Sequence, residues 1–303
     1  MDISLSELDN SSLPKLKDMS FNNLVMSSGG MNGIIMIGAL NYLYSINKIQ
    51  SINNYFGSSA GAFISLMLCI GYTPFEINQE ILDIDNANDF MHIDLQNLVK
   101  NLGVFCHSKI KKVIEKMVNN KLGFIPTLKE LYELTDKNIT FCVFNYTNLT
   151  TEYIDHTTHP KDLCTNVCTA SCCIPVLFTP VKLNNDFKYI DGGLSDPFPI
   201  GQCVKKFQGN TLGIVLNKSE AGEDSSILKY LLGVVFANTV FKKHKSAMKY
   251  MERKDCCIIG LSHENKGIEF NMDMTDKLKL FLSGDLQVRK KCKLLFNKAK
   301  DSK

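Results

Sequence analysis

The chain has 303 residues, which suits one large or two ordinary domains. It carries 34 Lys and Arg against 31 Asp and Glu, a formal charge of +3, and this near balance argues against a general polyanion binder, whose affinity needs a dense basic surface. With 45% hydrophobic and 21% charged residues, disorder as the main state is excluded, and eleven cysteines, an odd number without framework spacing, do not suit a secreted disulfide scaffold.

Residues 1–19 lack the continuous apolar stretch of a signal peptide. The longest apolar span, residues 227–241, is interrupted by Lys229 and Asn238 and falls short of the roughly 20 residues that cross a bilayer. A reducing cytosol is therefore the expected compartment.

In chain order, residues 1–20 are a polar lead-in, and 21–26 form a short strand that ends in Ser27-Ser28-Gly29-Gly30. After Met31 the run GIIMIGALNYLYSI reads as a buried helix. A second apolar segment at 52–56 runs into Gly57-Ser58-Ser59-Ala60-Gly61, and 62–69 is again an apolar helix. Strand, glycine turn and helix, repeated, is the signature of an α/β fold with a mostly parallel sheet. Residues 74–135 read as amphipathic helix throughout and 139–146 (ITFCVFNY) as a strand. A small-residue helix at 162–174 is stopped by Pro175, and Tyr189-Ile190 leads into Asp191-Gly192-Gly193. Strands at 211–216 and 256–261, a helix at 225–251 between them and a last helix at 275–300 complete the series. With no repeat or Gly/Ser linker, one domain is expected: the lead-in, a core at 21–217, and 218–303 completing it.

Gly57-Ser58-Ser59-Ala60-Gly61 fits the G-x-S-x-G pattern of a nucleophile elbow, in which a tight strand-to-helix turn forces the serine outward. The following helix offers its N-terminal N–H groups to developing negative charge. A second glycine turn, Ser28-Gly29-Gly30-Met31-Asn32-Gly33, can point backbone N–H groups at one oxygen, as an oxyanion hole requires. It matches neither the G-x-G-x-x-G nor the Walker pattern of nucleotide sites. A Ser-acid-His order is not supported, because His244 lies in a lysine-rich helix end and His263 in a polar turn. Asp191 ends an apolar strand, where desolvation can raise a carboxylate toward useful basicity. An Asp-Gly turn with no chemical role is the other reading of that segment.

Together these segments resemble the patatin-like phospholipase family, whose pattern is G-G-G-x-R/K-G, then G-x-S-x-G, then D-G-G/A. Gly38-Ala39-Leu40, Leu128-Lys129-Glu130-Leu131-Tyr132 and Ala170-Ser171-Cys172-Cys173-Ile174-Pro175 are similar to further family segments. The tail, with Ile268-Glu269-Phe270 and Ser283-Gly284, is less specifically similar to microbial and viral members. The resemblance implies a three-layer fold with a central, mostly parallel sheet flanked by helices. It implies Ser59 as nucleophile, Asp191 as its base, and the turn Ser28, Gly29, Gly30 and Met31 as oxyanion hole, with Gly33, Gly57, Gly61, Gly192 and Gly193 shaping the turns. Ser28 replaces the first glycine, and Asn32 stands where Arg or Lys is usual. The implied reaction is lipid acyl-ester hydrolysis through an acyl-enzyme, with no metal or other cofactor; acyl transfer, soluble-ester hydrolysis and non-catalytic lipid binding are the alternatives. Cys164, Cys168 and Cys172, four apart, read as buried fillers rather than metal ligands. Residues 285–303 carry a local charge of +5 on an amphipathic pattern of Leu286, Val288, Leu294, Leu295 and Phe296. That helix either meets an anionic membrane peripherally or packs on the sheet with a solvated basic face.

Overall fold

Short runs of aliphatic, aromatic and β-branched residues buried on both faces favour a parallel sheet covered by helices, and such a sheet forms. The computed structural model describes residues 14–84, 95–217, 227–262 and 272–298. A helical turn over 14–18 (α1) precedes strand β1 (Asn23–Met26), a 3-10 turn (Gly30–Gly33) and helix α2 (Ile34–Ser45); β2 (Asn54–Ser58) leads into α3 (Ala60–Cys69). Then come α4 (Pro74–Leu82), α5 (Leu95–Asn101), β3 (Gly103–Phe105), α6 (Ser108–Leu122), α7 (Leu128–Thr135), β4 (Asn138–Asn145) and β5 (Thr150–Ile154). Next are α8 (Cys164–Cys172), β6 (Val176–Phe178), β7 (Val181–Lys182) and β8 (Lys188–Asp191). The chain continues through α9 (Ile200–Lys206), β9 (Thr211–Leu216), α10 (Ile227–Met251), β10 (Cys256–Leu261) and α11 (Met274–Lys298).

The main sheet has the order β10-β9-β1-β2-β4-β8-β7, with β5 also on β4. From β10 to β4 every pairing is parallel, whereas β5, β7 and β8 pair antiparallel. Alternate residues of each strand enter different layers, as the two-residue strand period requires. Leu24, Met26, Tyr55, Ile214 and Ile259 pack with α2 and α3, while Val25, Phe56, Val215 and Ile258 pack with Phe198, Cys203, Ala247 and Met251. Helices thus cover both faces of a mostly parallel sheet, the architecture expected from the repeated strand-turn-helix pattern.

Three local expectations need correction. Residues 74–135 are not helical throughout. The helix α5 ends before Leu102, whose φ of 67° cannot continue a helix, and Val104 and Phe105 are buried in β3 against β6 in a separate two-stranded sheet. The buried helix after Met31 begins only at Ile34, because Gly30–Gly33 is wound as a 3-10 turn. In α11, Val288 and Cys292 are buried and Leu286 is exposed, so Val288 does not belong to an outward stripe. The helix crosses α2 backbone to backbone: a Cβ on Gly38 would lie 1.9 Å from the Phe281 carbonyl oxygen, and one on Gly284 equally close to that of Ile35. The side chains of Leu294, Leu295 and Phe296 lie outside the described residues. Among the described residues, no helix is long and apolar enough to cross a membrane.

One feature of the pairing brings the two ends of the candidate site together. Phe141 of β4 is partnered by Gly57 of β2 and Ile154 of β5, and Val143 by Asp191 of β8 and Glu152 of β5. A residue has one partner on each edge, so β2 and β8 share the same edge of β4 and run toward each other. Ser58 pairs at Cys142 and Asp191 at Val143, the next residue. The two strands therefore meet end to end, with Ser59 leaving one and Asp191 closing the other.

Candidate active site

The turn after β2 is tight because nothing larger than hydrogen fits at its flanks. A Cβ on Gly57 would lie 2.4 Å from the Ala62 nitrogen, and one on Gly61 2.4 Å from the Met26 carbonyl oxygen. Between them Ser59 adopts φ 57° and ψ −126°, a conformation that costs a non-glycine residue roughly 1–3 kcal/mol. The strain lifts its side chain out of the sheet at the N-terminus of α3, where the helix dipole is positive.

Ser59 Oγ donates a hydrogen bond to Asp191 Oδ2 at 2.6 Å, and the Gly193 N–H donates to Asp191 Oδ1 at 2.7 Å. Both side chains are buried, Asp191 at 2% exposure. Burial pushes the Asp191 carboxyl up from 3.8 to about 7, against the opposing pull of the Ser59 hydroxyl and the Gly193 N–H. The Ser59 N–H donates to Ser171 Oγ at 3.1 Å, and Ser171 Oγ donates to the Cys142 carbonyl at 2.7 Å. Ser171 of α8 thus fastens the elbow to β4. No histidine ring bonds to Ser59 or Asp191 among the described residues; His244 lies on α10, and His263 is outside them.

The glycine turn approaches from β1. Its four N–H groups are not equivalent: that of Ser28 donates to the Pro197 carbonyl at 2.8 Å, which removes it from the expected set of oxyanion donors. The N–H groups of Gly29 and Gly30 make no hydrogen bond among the described residues. Gly30, with φ 54°, and Met31 open the 3-10 turn, whose first N–H groups have no acceptor within it. Asn32 is buried with an unpartnered Oδ1, and Gly33 packs closely on Ala60. The turn itself contributes no cation. Gly192 and Gly193 follow Asp191 in a short 3-10 turn whose backbone abuts Cys142 and Ser28.

A cavity of about 170 Å³ opens beside Ser59, walled by Met31, Ile34, Phe63, Ile64, Ile110 and Ile114 among others, with Lys109 on its lining. A serine at the rim of such a pocket can present its oxygen to an ester whose apolar chain lies inside. Cys172 also lines it and donates from Sγ to the Ser59 carbonyl at 3.3 Å. Cys164 and Cys168 are fully buried; burial pushes the Cys164 thiol up to about 12 and the Cys168 thiol well above its ordinary value, so both remain protonated fillers. Ser171 stands in sequence only as part of a family-like segment without a role, and the α6 wall is not singled out there. The wall is carried by Ile110, Val113 and Ile114, whose three-to-four spacing predicts one apolar face without saying that it lines a cavity.

The family model described as patatin-like phospholipase matches residues 24–204. The chain is 36% identical over 196 residues to "Probable lipid hydrolase 463L" of Invertebrate iridescent virus 6, a match covering 63% of this chain and 66% of that protein. It is 24% identical over 307 residues to "Uncharacterized protein R571" of Acanthamoeba polyphaga mimivirus, covering 96% of this chain and 100% of the relative. In fold it is similar to VipD from Legionella pneumophila, with TM-score 0.53 and 17% identity over 91% of this chain and 67% of that one.

Proposed function

This chain belongs to the patatin-like phospholipase family, and from that premise we propose that it hydrolyses lipid acyl esters, phospholipids among them, with Ser59 as nucleophile and Asp191 as general base. The observation that carries this reading is the 2.6 Å contact of a strained, outward serine with a buried carboxylate at the rim of an apolar pocket. In the proposed sequence Ser59 Oγ bonds to the ester carbonyl carbon as Asp191 takes its proton. Gly29 and Gly30, with Met31, donate to the oxyanion. The tetrahedral species expels the alcohol, which receives that proton from Asp191 and leaves an acyl-Ser59. Water then attacks the acyl carbon while Asp191 accepts its proton, and release of fatty acid returns the proton to Ser59. No step uses a metal or other cofactor. Residues 21–217 would carry this chemistry, and 218–303 would complete the same domain.

The name of the iridescent-virus relative, of which this chain covers about two thirds, supports a lipid substrate. Fatty-acid release from phospholipid vesicles by wild type and Ser59→Ala tests the reading; equal release would overturn it, and activity confined to short soluble esters would favour an esterase. Exposed Leu282 and Leu286 on α11, beside exposed Lys290 and Lys293, supply the proposed peripheral contact with an anionic lipid surface.

Two expected results follow from the site's electrostatics and shape. Asp191 accepts a proton only when ionised, and burial places its titration at about 7. For a soluble ester, kcat/KM should fall about tenfold per pH unit below that point and level off above it; a flat profile between pH 5 and 8 would contradict the assignment. Ile110→Trp, at a partly exposed cavity position, should reduce hydrolysis of a long-chain p-nitrophenyl ester relative to the butyrate by about tenfold or more. An unchanged ratio would show that the acyl chain lies elsewhere.

A further inference from the structure

Helix α10 touches both the turn after β1 and the turn after β8. Thr239 and Lys243 lie one helical turn apart on its inner face, with Leu232 and Ala247 buried on the same side. Thr239 Oγ1 donates to the Gly193 carbonyl at 3.2 Å, and Lys243 Nζ reaches the Ser28 carbonyl at 3.4 Å. Ser27 Oγ donates to that same carbonyl at 3.1 Å. The two turns also abut directly, since a Cβ on Gly193 would lie 2.9 Å from Ser28 Cβ.

The lysine is unusual. Lys243 is half-buried, and desolvation lowers its ammonium to about 8, with no carboxylate among the described residues offsetting that effect. Enclosing an ammonium without a counter-charge is costly. Its hydrogen-bond acceptor belongs to the Ser28–Gly29 peptide. That peptide is planar and trans, so its C=O and the Gly29 N–H point in opposite directions. A cation on the oxygen therefore fixes where the Gly29 N–H points and polarises it as a donor. On the neighbouring turn, Gly193 donates its N–H to Asp191 Oδ1 while its carbonyl is held by Thr239.

We propose that Lys243 and Thr239 are positioning residues that clamp the oxyanion turn and the Asp191 turn in register, Lys243 supplying from α10 the positive charge that the turn around Asn32 lacks. The proposal rests on the reading of Ser59 and Asp191 given above. Neither residue touches the ester; each acts through a backbone carbonyl.

The test compares wild type, Lys243→Met, Lys243→Arg, Thr239→Val and Ser59→Ala on p-nitrophenyl butyrate, with melting temperatures. Binding of a trifluoromethyl ketone, whose adduct with serine carries an oxyanion, is measured alongside. Lys243→Met should lower kcat about tenfold or more with KM within about twofold, a part of what losing a whole oxyanion donor costs. Ketone affinity should fall by a similar factor, the melting temperature should not drop, and Lys243→Arg should restore much of kcat. Thr239→Val should lower kcat about threefold or more, and it keeps the idea testable should Lys243→Met fold poorly. Wild-type kcat and ketone affinity in both Lys243→Met and Thr239→Val, with Ser59→Ala inactive, would overturn the clamp and leave the dyad standing. A fully active Ser59→Ala would overturn the dyad and the clamp with it. An arginine variant no better than methionine would also count against a role for the charge.

Discussion

Ser59→Ala is expected to lower ester hydrolysis by at least about a thousandfold, the scale on which covalent nucleophiles are lost from serine hydrolases. The substitution removes one oxygen and adds no bulk. It also leaves the Gly57 and Gly61 approaches to the backbone untouched, so the loss should appear in kcat while the fold is kept. Alanine inherits the strained φ of 57° without relief, and melting should shift little. The Ser59 N–H bond to Ser171 holds the elbow in the variant as in the wild type. Residual turnover close to wild type would mean that the 2.6 Å contact is structural.

Asp191→Asn is expected to have an equally large effect on activity and, unlike Ser59→Ala, to raise stability. An amide cannot take the Ser59 proton, so hydrolysis should drop by about a thousandfold or more. The side chain keeps its shape: the amide oxygen can accept from the Gly193 N–H, and the amide nitrogen can donate to Ser59 Oγ. Stability follows from linkage. The folded carboxyl titrates at about 7, above its ordinary 3.8, so folding favours the protonated form. That contribution is complete below about pH 4 and is lost as pH rises through about 7. Asparagine never ionises. The variant should therefore gain on the wild type between pH 4 and 8, by up to about 4 kcal/mol at 1.36 kcal/mol per pKa unit, and thermal melts across that range read the gap. A gap that does not widen with pH would show that the carboxylate is not desolvated as the burial of Asp191 implies.

The residues of the candidate site were legible where their signal is local. G-x-S-x-G and Asp191-Gly192-Gly193 announce turns, because the backbone there tolerates no Cβ on Gly61 or Gly192. The contact between them was not written in either motif. It depends on β2 and β8 meeting on one edge of β4, a long-range pairing that apolar periodicity does not encode. For the same reason the engagement of the Ser28 N–H by Pro197 and the reach of Lys243 to Ser28 were invisible. In sequence, Lys243 is one of several lysines at a helix end. Strand β3 was hidden inside an amphipathic stretch because three residues are too few to show a period of two. The long helices were legible throughout, but not which face of α11 turns inward; Gly38 and Gly284 decide that by letting two backbones touch.

The central claim, a Ser59 nucleophile activated by Asp191, is tested most directly by covalent trapping. A long-chain p-nitrophenyl phosphonate forms a stable phosphorus–oxygen bond to an activated serine as p-nitrophenolate leaves, and peptide mass mapping locates the adduct. The dyad predicts one adduct per chain, on the peptide bearing Ser59, formed in the wild type at least about a hundredfold faster than in Asp191→Asn. An adduct on another residue, or equal rates in the two proteins, would contradict it.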